Sequence, residues 1–243
     1  MKENVPSISM RTACYKKIIV LICCWSLAGL QAQMFEVGLF AGGANNIGDI
    51  GRTNYVLPSG TAYGGLFKWN KSKRYAWRAS IIKGSFVADD SKASKSSRQQ
   101  RGYRYENAVL EYSLGLEFNF VEYNLHKLGP AFTPYLYTGI THFKYNSDYI
   151  DLNGRVRNSN EKDGSFAIPM TVGVKLRISQ LLILGFEIGA RYTFTDNLDA
   201  SNPQSLSLEQ FRVGNILSKD WYVFSGITFT YTFGRKPCQD CFE

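Results

Sequence analysis

The 243 residues carry 28 basic against 20 acidic side chains, a formal charge of +8, with 20% charged and 14% aromatic residues. The basic balance comes without a basic stripe interleaved with aromatics, so a nucleic-acid surface is not indicated. A low charged fraction with abundant Tyr, Phe and Gly instead suits a β-rich chain that sets aromatics at two lipid–water boundaries.

Residues 1–32 read as a signal peptide. Arg11, Lys16 and Lys17 form a basic n-region, Ile18–Leu30 is an apolar run, and Gln-Ala-Gln around Ala32 offers a cleavage site. The run is short for a membrane-spanning helix, which needs roughly 20 residues. Neither Cys23 nor Cys24 is preceded by a lipobox. The segment holds four basic side chains and one acidic, so the mature chain keeps +5 of the +8.

From there the signal is period two, which argues for strands with two unlike faces. In chain order, Phe35, Val37, Leu39 and Ala41 oppose Glu36, Gly38, Phe40 and Gly42. Tyr63, Gly65, Phe67 and Trp69 oppose Lys68, and Tyr75, Trp77, Ala79 and Ile81 oppose Arg78. Ala108 to Phe118 carries an apolar face against Glu111 and Glu117. A fifth strand, Phe132 to Phe143, leaves its facing open. Phe166 to Leu176 opposes Lys175 and Arg177, and Leu184 to Tyr192 opposes Glu187 and Arg191. Trp221 to Phe233 closes the series. Pro169 removes a ladder donor inside the sixth strand, so a bulge or a later strand start is expected there.

Eight strands of about ten residues match the length a tilted strand needs to cross a bilayer. Long connections (45–61, 84–104, 144–165, 195–220) alternate with shorter ones (70–74, 119–131, 179–181). Transmembrane barrels place long loops outside and short turns in the periplasm, so both termini are expected in the periplasm. A soluble lipocalin-like barrel would invert the faces, but it would need many charges on its outer surface. Here the polar face is Gly, Thr, Ser and about one charge per strand, of both signs. Glu36, Glu111, Glu117 and Glu187 face Lys68, Arg78, Lys175, Arg177 and Arg191, which fits a narrow lumen filled by paired charges. The expectation is an all-β chain: residues 33–234 form an eight-stranded antiparallel transmembrane barrel of the OmpA/OmpX kind in the outer membrane, and residues 235–243 form a periplasmic tail. Phe35, Trp69, Tyr75, Trp77, Phe118 and Phe233 fall at the periplasmic ends and Phe166, Tyr192, Phe194 and Trp221 at the outer ends, as two girdles.

Chemistry is sparse. His126 and His142 are the two histidines, and neither stands beside a nucleophile and an orienting acid. The glycines at 42–51 precede no helical pattern, which argues against a phosphate loop. An enzyme, a cofactor, a metal, a small-molecule substrate and a porin function are therefore not expected. Cys238 and Cys241 form a CxxC in the tail, without the second pair zinc would need. In an oxidising compartment they can close a local disulfide or form a mixed disulfide with a partner.

Several blocks resemble a known family. Phe35-Glu36-Val37-Gly38 followed by Gly42 to Gly51 is similar to the start of PorG-like proteins of the Bacteroidetes. Tyr105 to Glu111, Leu116 to Phe120, Phe132 to Ile140, Thr193 to Asp199 and Asp220-Trp221-Tyr222 match later blocks in order. The resemblance implies an outer-membrane barrel of the type IX secretion system, linked to gliding motility and protein transport. It implies a partner as well, the periplasmic ring of PorK lipoprotein and PorN, and it carries over no catalytic motif. Family tails tend to bear cysteine, in keeping with Cys238 and Cys241. The competing class is a free-standing barrel acting in adhesion or protection through its outer loops.

Overall fold

The structure is a computed structural model that describes residues 34–125, 130–151, 154–157, 162–203, 206–212 and 219–234. The expected signal peptide, His126 and the two tail cysteines lie outside the described residues. Among the described residues ten strands are formed: β1 (Met34–Ile47), β2 (Gly60–Asn70), β3 (Tyr75–Asp89), β4 (Arg104–Asn119), β5 (Phe132–Asn146), β6 (Tyr149–Ile150), β7 (Val156–Arg157), β8 (Lys162–Arg177), β9 (Leu182–Thr193) and β10 (Trp221–Phe233). Eight of them close one antiparallel barrel in the order β1-β10-β9-β8-β5-β4-β3-β2. The short pair β6–β7 is a separate hairpin inside the connection that follows β5. One six-residue helix, α1 (Ser96–Arg101), sits in the connection between β3 and β4 and ends on Gly102 at φ 68.

The faces have inverted polarity. Val37, Leu39, Phe67, Ile81, Leu114, Ile140 and Phe186 are exposed on the outside, whereas Glu36, Lys68, Glu111 and Glu117 are buried within. Water would penalise such an exterior, since exposed apolar patches on monomeric soluble proteins rarely exceed a few hundred Å². A hydrocarbon solvent favours it, and closure satisfies the backbone without an edge. The molecule is a membrane-spanning β-barrel. Aromatics ring its turn end, where Phe35 packs on Phe67 and Phe233 at 5.8 Å each. At the other end Tyr192 meets Phe194 at 5.7 Å and Trp221 at 5.1 Å.

Strands run past the lipid. β1 continues to Ile47, β3 to Asp89, and β8 begins at Lys162, each beyond the bounds read from hydrophobic alternation. Those extensions are held by ladder pairing rather than by lipid, so their outward residues need not be apolar. Pro169 produces neither a bulge nor a late start. Register between β5 and β8 is unchanged on both sides of it, and only the pairs at Gly139–Ile140 drop out. The fifth strand resolves with Tyr135, Tyr137, Thr141, Phe143 and Tyr145 buried inward and Leu136, Ile140 and Phe132 exposed outward.

Candidate functional site

The lumen holds a set of buried, interlocking ion pairs. Lysine and arginine on β2, β3, β8 and β9 reach carboxylates on β4 and β9. Glu117 is the hub: Lys175 donates to its Oε1 at 2.6 Å, Lys68 pairs with its Oε2 at 2.7 Å, and Arg78 stands at 3.8 Å. Arg78 makes a two-point contact with Glu187, both distances 2.7 Å, and Tyr135 donates its hydroxyl to the same carboxylate at 2.5 Å. Farther up, Arg191 binds Glu111 through Nε at 2.9 Å and Nη2 at 3.0 Å, and Tyr222 donates to Glu111 at 2.8 Å. Bidentate Arg–carboxylate contacts of this kind fix geometry as well as charge.

Each of the nine lumen residues read from the sequence points inward and is buried. Glu187 does not pair with Arg191, its neighbour on the same strand face, but with Arg78 across the lumen. Glu36 accepts from Asn70 at 2.9 Å and from Thr230 at 2.9 Å. Arg177 donates to the carbonyl of Asn124 in the turn below it at 3.0 Å. Strand spacing tells which face a charge occupies, but the partner depends on strand tilt and lumen diameter.

The sequence reading missed the lumen aromatics. Tyr135 and Tyr137 were legible as a period-two pair, yet their face was ambiguous. Tyr137 shares a 2.6 Å contact with Ser113 and lies under Arg78, 4.8 Å from ring centre to guanidinium. Lys175 lies over Tyr123 at 4.7 Å, and Arg191 over Phe224 at 4.4 Å. Such stacking stabilises a desolvated cation by about 2 kcal/mol. Around the Arg191–Glu111 pair the interior is also apolar, with Phe40, Phe86, Phe143, Tyr222 and Phe224 in one cluster. The inner face is therefore not only small and polar residues with scattered charges.

Both ends are closed by chain. At the turn end residues 123–125 fold inward, burying Tyr123 and Leu125 against Met34 and Ile183. At the loop end carboxylates gather backbone amides from three loops. Asp199 accepts from the amides of Asp49 at 2.6 Å, Ile50 at 3.0 Å and Ser201 at 3.0 Å. Asp90 accepts from the Gly51 amide at 2.8 Å and from Arg101 Nε at 2.7 Å, and Asp220 from the Leu198 amide at 2.9 Å. Burial, and beyond it the other carboxylates of the group, pushes Asp199 and Asp220 above the usual carboxylate range.

His142 lies on the outer face against Phe166, ring centres 5.2 Å apart. Among the described residues no three His, Cys, Asp or Glu side chains converge as a metal would require.

Solved barrels of similar shape include the N-terminal β-barrel domain of OprF from Pseudomonas aeruginosa, 11% identical, covering 84% of this chain and 98% of its own, TM-score 0.43. A major outer membrane protein of Thermus thermophilus is 12% identical over 84% of this chain and 100% of its own, TM-score 0.45. Ail, the attachment invasion locus protein of Yersinia pestis, solved with the heparin analogue sucrose octasulfate, is 9% identical over 84% and 100%, TM-score 0.42. No curated protein matches the sequence significantly. With residues 15–243 matched by its model, the chain belongs to the family described as Domain of unknown function (DUF6089).

Proposed function

We propose that this protein is a non-enzymatic structural component of the outer membrane, serving the type IX secretion machinery as an anchor for a PorK/PorN-type periplasmic ring. The observation that carries the non-transporting, non-catalytic part is the filled lumen. Buried ion pairs and an aromatic cluster together occupy it, and chain folds over both ends. That leaves the rims and the outer loops as working surfaces. The secretion assignment rests on the resemblance of the sequence blocks to PorG-like proteins.

In this reading the 71–74 and 120–131 turns lie in the periplasm together with both termini. Part of the longer turn has an internal use, since Tyr123 and Leu125 seal the barrel floor. Among the described residues, the turn offers a ring exposed Phe120 and Val121, with Glu122 near Lys73 at 3.8 Å and Arg74 at 3.9 Å. Cys238 and Cys241 follow the last strand closely in the sequence and would reach the same partner. The competing reading is a free-standing barrel acting in adhesion or protection, favoured by the folded cap of outer loops around Asp199 and Asp90.

Purification from the native membrane in mild detergent tests the proposal. A periplasmic lipoprotein is expected to co-purify, and a non-reducing gel is to be run on the same sample to detect a Cys238 or Cys241 adduct. Deletion of the gene is expected to stop cargo export and colony spreading. Unchanged export and spreading would exclude the secretion role and leave the free-standing barrel.

A further inference from the structure

Strand β2 stops short of its neighbours. Its ladder with β1 ends at Ala44↔Gly60 and its ladder with β3 at Ala62↔Gly84, while β1 runs to Ile47 and β3 to Asp89. The notch so left is bridged by Ser59, whose amide donates to the Ala44 carbonyl at 2.9 Å and whose Oγ accepts from the Val87 amide at 3.1 Å. Around this bridge lies a cleft of ≈ 330 Å³.

Its chemistry is cationic. Arg52, Lys92 and Arg104 line it with one carboxylate, Asp89. That carboxylate is already engaged with the Ser91 amide at 3.0 Å and hydroxyl at 2.6 Å. Arg52 is oriented by its Nε, which donates to the Lys92 carbonyl at 3.1 Å. Asn45 and Asn46 also line the cleft; they are 4% and 6% exposed, and Asn45 Oδ1 and Asn46 Nδ2 have no hydrogen-bond partner. In a cationic cleft the Asn46 amide is a buried donor suited to an oxyanion, and the Asn45 carbonyl oxygen is an acceptor suited to a sugar hydroxyl.

The surroundings place that ligand at a membrane. Residues 54–58 fold back on the outside of the wall: Asn45 Nδ2 donates to the carbonyls of Asn54 at 3.2 Å and Tyr55 at 3.3 Å, and Pro58 covers Gly43. Tyr55, Val56 and Leu57 are thereby held exposed beside the barrel. Val87 lies four residues beyond Lys83, the first charge met on the outward face of β3 going up from the turn end. At about 3.3 Å per residue and a tilt of about 40°, that is roughly 10 Å above it, at headgroup level. Lower on β2 and β3, Gly65 and Ala79 leave an apolar groove of ≈ 640 Å³ flanked by Phe67, Ile81 and Leu114.

We propose that the cleft binds the phosphorylated saccharide headgroup of an anionic glycolipid of the outer leaflet, whose acyl chains lie along the apolar groove. Arg52, Lys92 and Arg104 supply the charge, Asn46 a buried donor, and Tyr55 to Leu57 the interfacial contact. The proposal rests on the outer-membrane placement.

The test is native mass spectrometry of the purified full-length barrel in micelles, titrated with diphosphoryl lipid A and, separately, with glucose 1-phosphate. A one-to-one lipid A adduct is expected, weakened by about tenfold or more in Arg52→Gln/Lys92→Gln/Arg104→Gln. Lys144→Gln/Arg155→Gln/Lys162→Gln removes equal charge from the β5–β8 side of the loop end and is expected to change it less than about twofold. Should the triple variant lose its heat-modifiable gel mobility, Lys92→Glu alone, on an exposed side chain, is expected to cost about threefold or more. Equal losses in cleft and control variants would overturn the proposal, and so would glucose 1-phosphate binding as tightly as lipid A. Insertion into phosphatidylcholine vesicles separates the two readings. A barrel that inserts but takes no lipid A refutes the cleft alone, and one that does not insert refutes the membrane placement.

Discussion

Replacing Glu117 by Gln removes one negative charge from a fully enclosed site. Its side chain is fully buried, 2.6 Å from Lys175 and 2.7 Å from Lys68, with Arg78 at 3.8 Å. The amide can still accept one hydrogen bond, but two ammonium groups lose their common counter-ion. Breaking a buried pair by removing one partner costs about 3–5 kcal/mol, because a buried charge is left uncompensated. An independent ceiling comes from the escape route: deprotonating a lysine of ordinary pKa at pH 7 costs about 5 kcal/mol. The two figures agree, so the variant is expected to lose roughly 4 kcal/mol. With a urea slope of about 2 kcal/mol per molar, the unfolding midpoint in lipid vesicles moves down by roughly 2 M. Adding Lys68→Met to Glu117→Gln removes one of the stranded cations and is expected to recover more than half of the loss. The single variant's loss is also expected to shrink between pH 7 and pH 10, as a lysine becomes easier to neutralise. A Glu117→Gln midpoint within about 0.5 M of wild type, or no recovery on adding Lys68→Met, would refute the paired-lumen account.

Three further outcomes follow from other parts of the structure. Arg191→Met strands Glu111, whose remaining contact is the Tyr222 hydroxyl, and is expected to destabilise by about 3–5 kcal/mol in the same urea assay. Asn45→Leu frees the carbonyls of Asn54 and Tyr55; trypsin cleavage at Arg52 is expected to accelerate while barrel unfolding moves by about 1–2 kcal/mol at most. Asp199 and Asp220 have folded-state pKa values raised first by burial, and then by Asp49 for Asp199 and by Asp199 for Asp220, with Asp196 and Arg101 as other charges nearby. A raised carboxylate binds its proton more tightly when folded, so its stabilisation is complete below the unfolded pKa of about 3.9 and is lost as pH rises through the folded value. Hydrogen exchange at the Ile50 and Leu198 amides, corrected for intrinsic rate, is expected to show a looser cap at pH 8 than at pH 5. Asp220→Asn is expected to flatten that dependence.

Much of the barrel was legible because lipid imposes a two-residue period on any strand that crosses it. Val37, Leu39, Ile227 and Phe229 could face only hydrocarbon, and the charges between them only the lumen. The same logic failed where lipid was absent. Asn45, Asn46 and Ser85 belong to strands, yet no apolar alternation marks them, because loops and ladder partners rather than acyl chains cover those stretches. Tyr135 and Tyr137 read equally well as girdle or lumen residues. Their hydroxyls, bonded to Glu187 and Ser113, decide the matter, and no spacing encodes that. Asp199 was visible only as one residue of a family-like block; its work is to gather amides from 150 positions away in the chain, a contact set by closure of the barrel.

That closure joins the first strand to the last, from Phe35↔Phe233 to Ile47↔Trp221. The pair with the longest sequence separation is thus the seam, and it cannot form until the final strand is in place. Anything that held the tail after Phe233 would be attached to the strand that completes the ring. A partner recruited through that tail would meet the molecule at the moment of its completion, and beside the N-terminal strand as well, because Phe35 and Phe233 are neighbours. Order of assembly is in this way written into topology: inspection of the seam and capture of the finished barrel can be the same event.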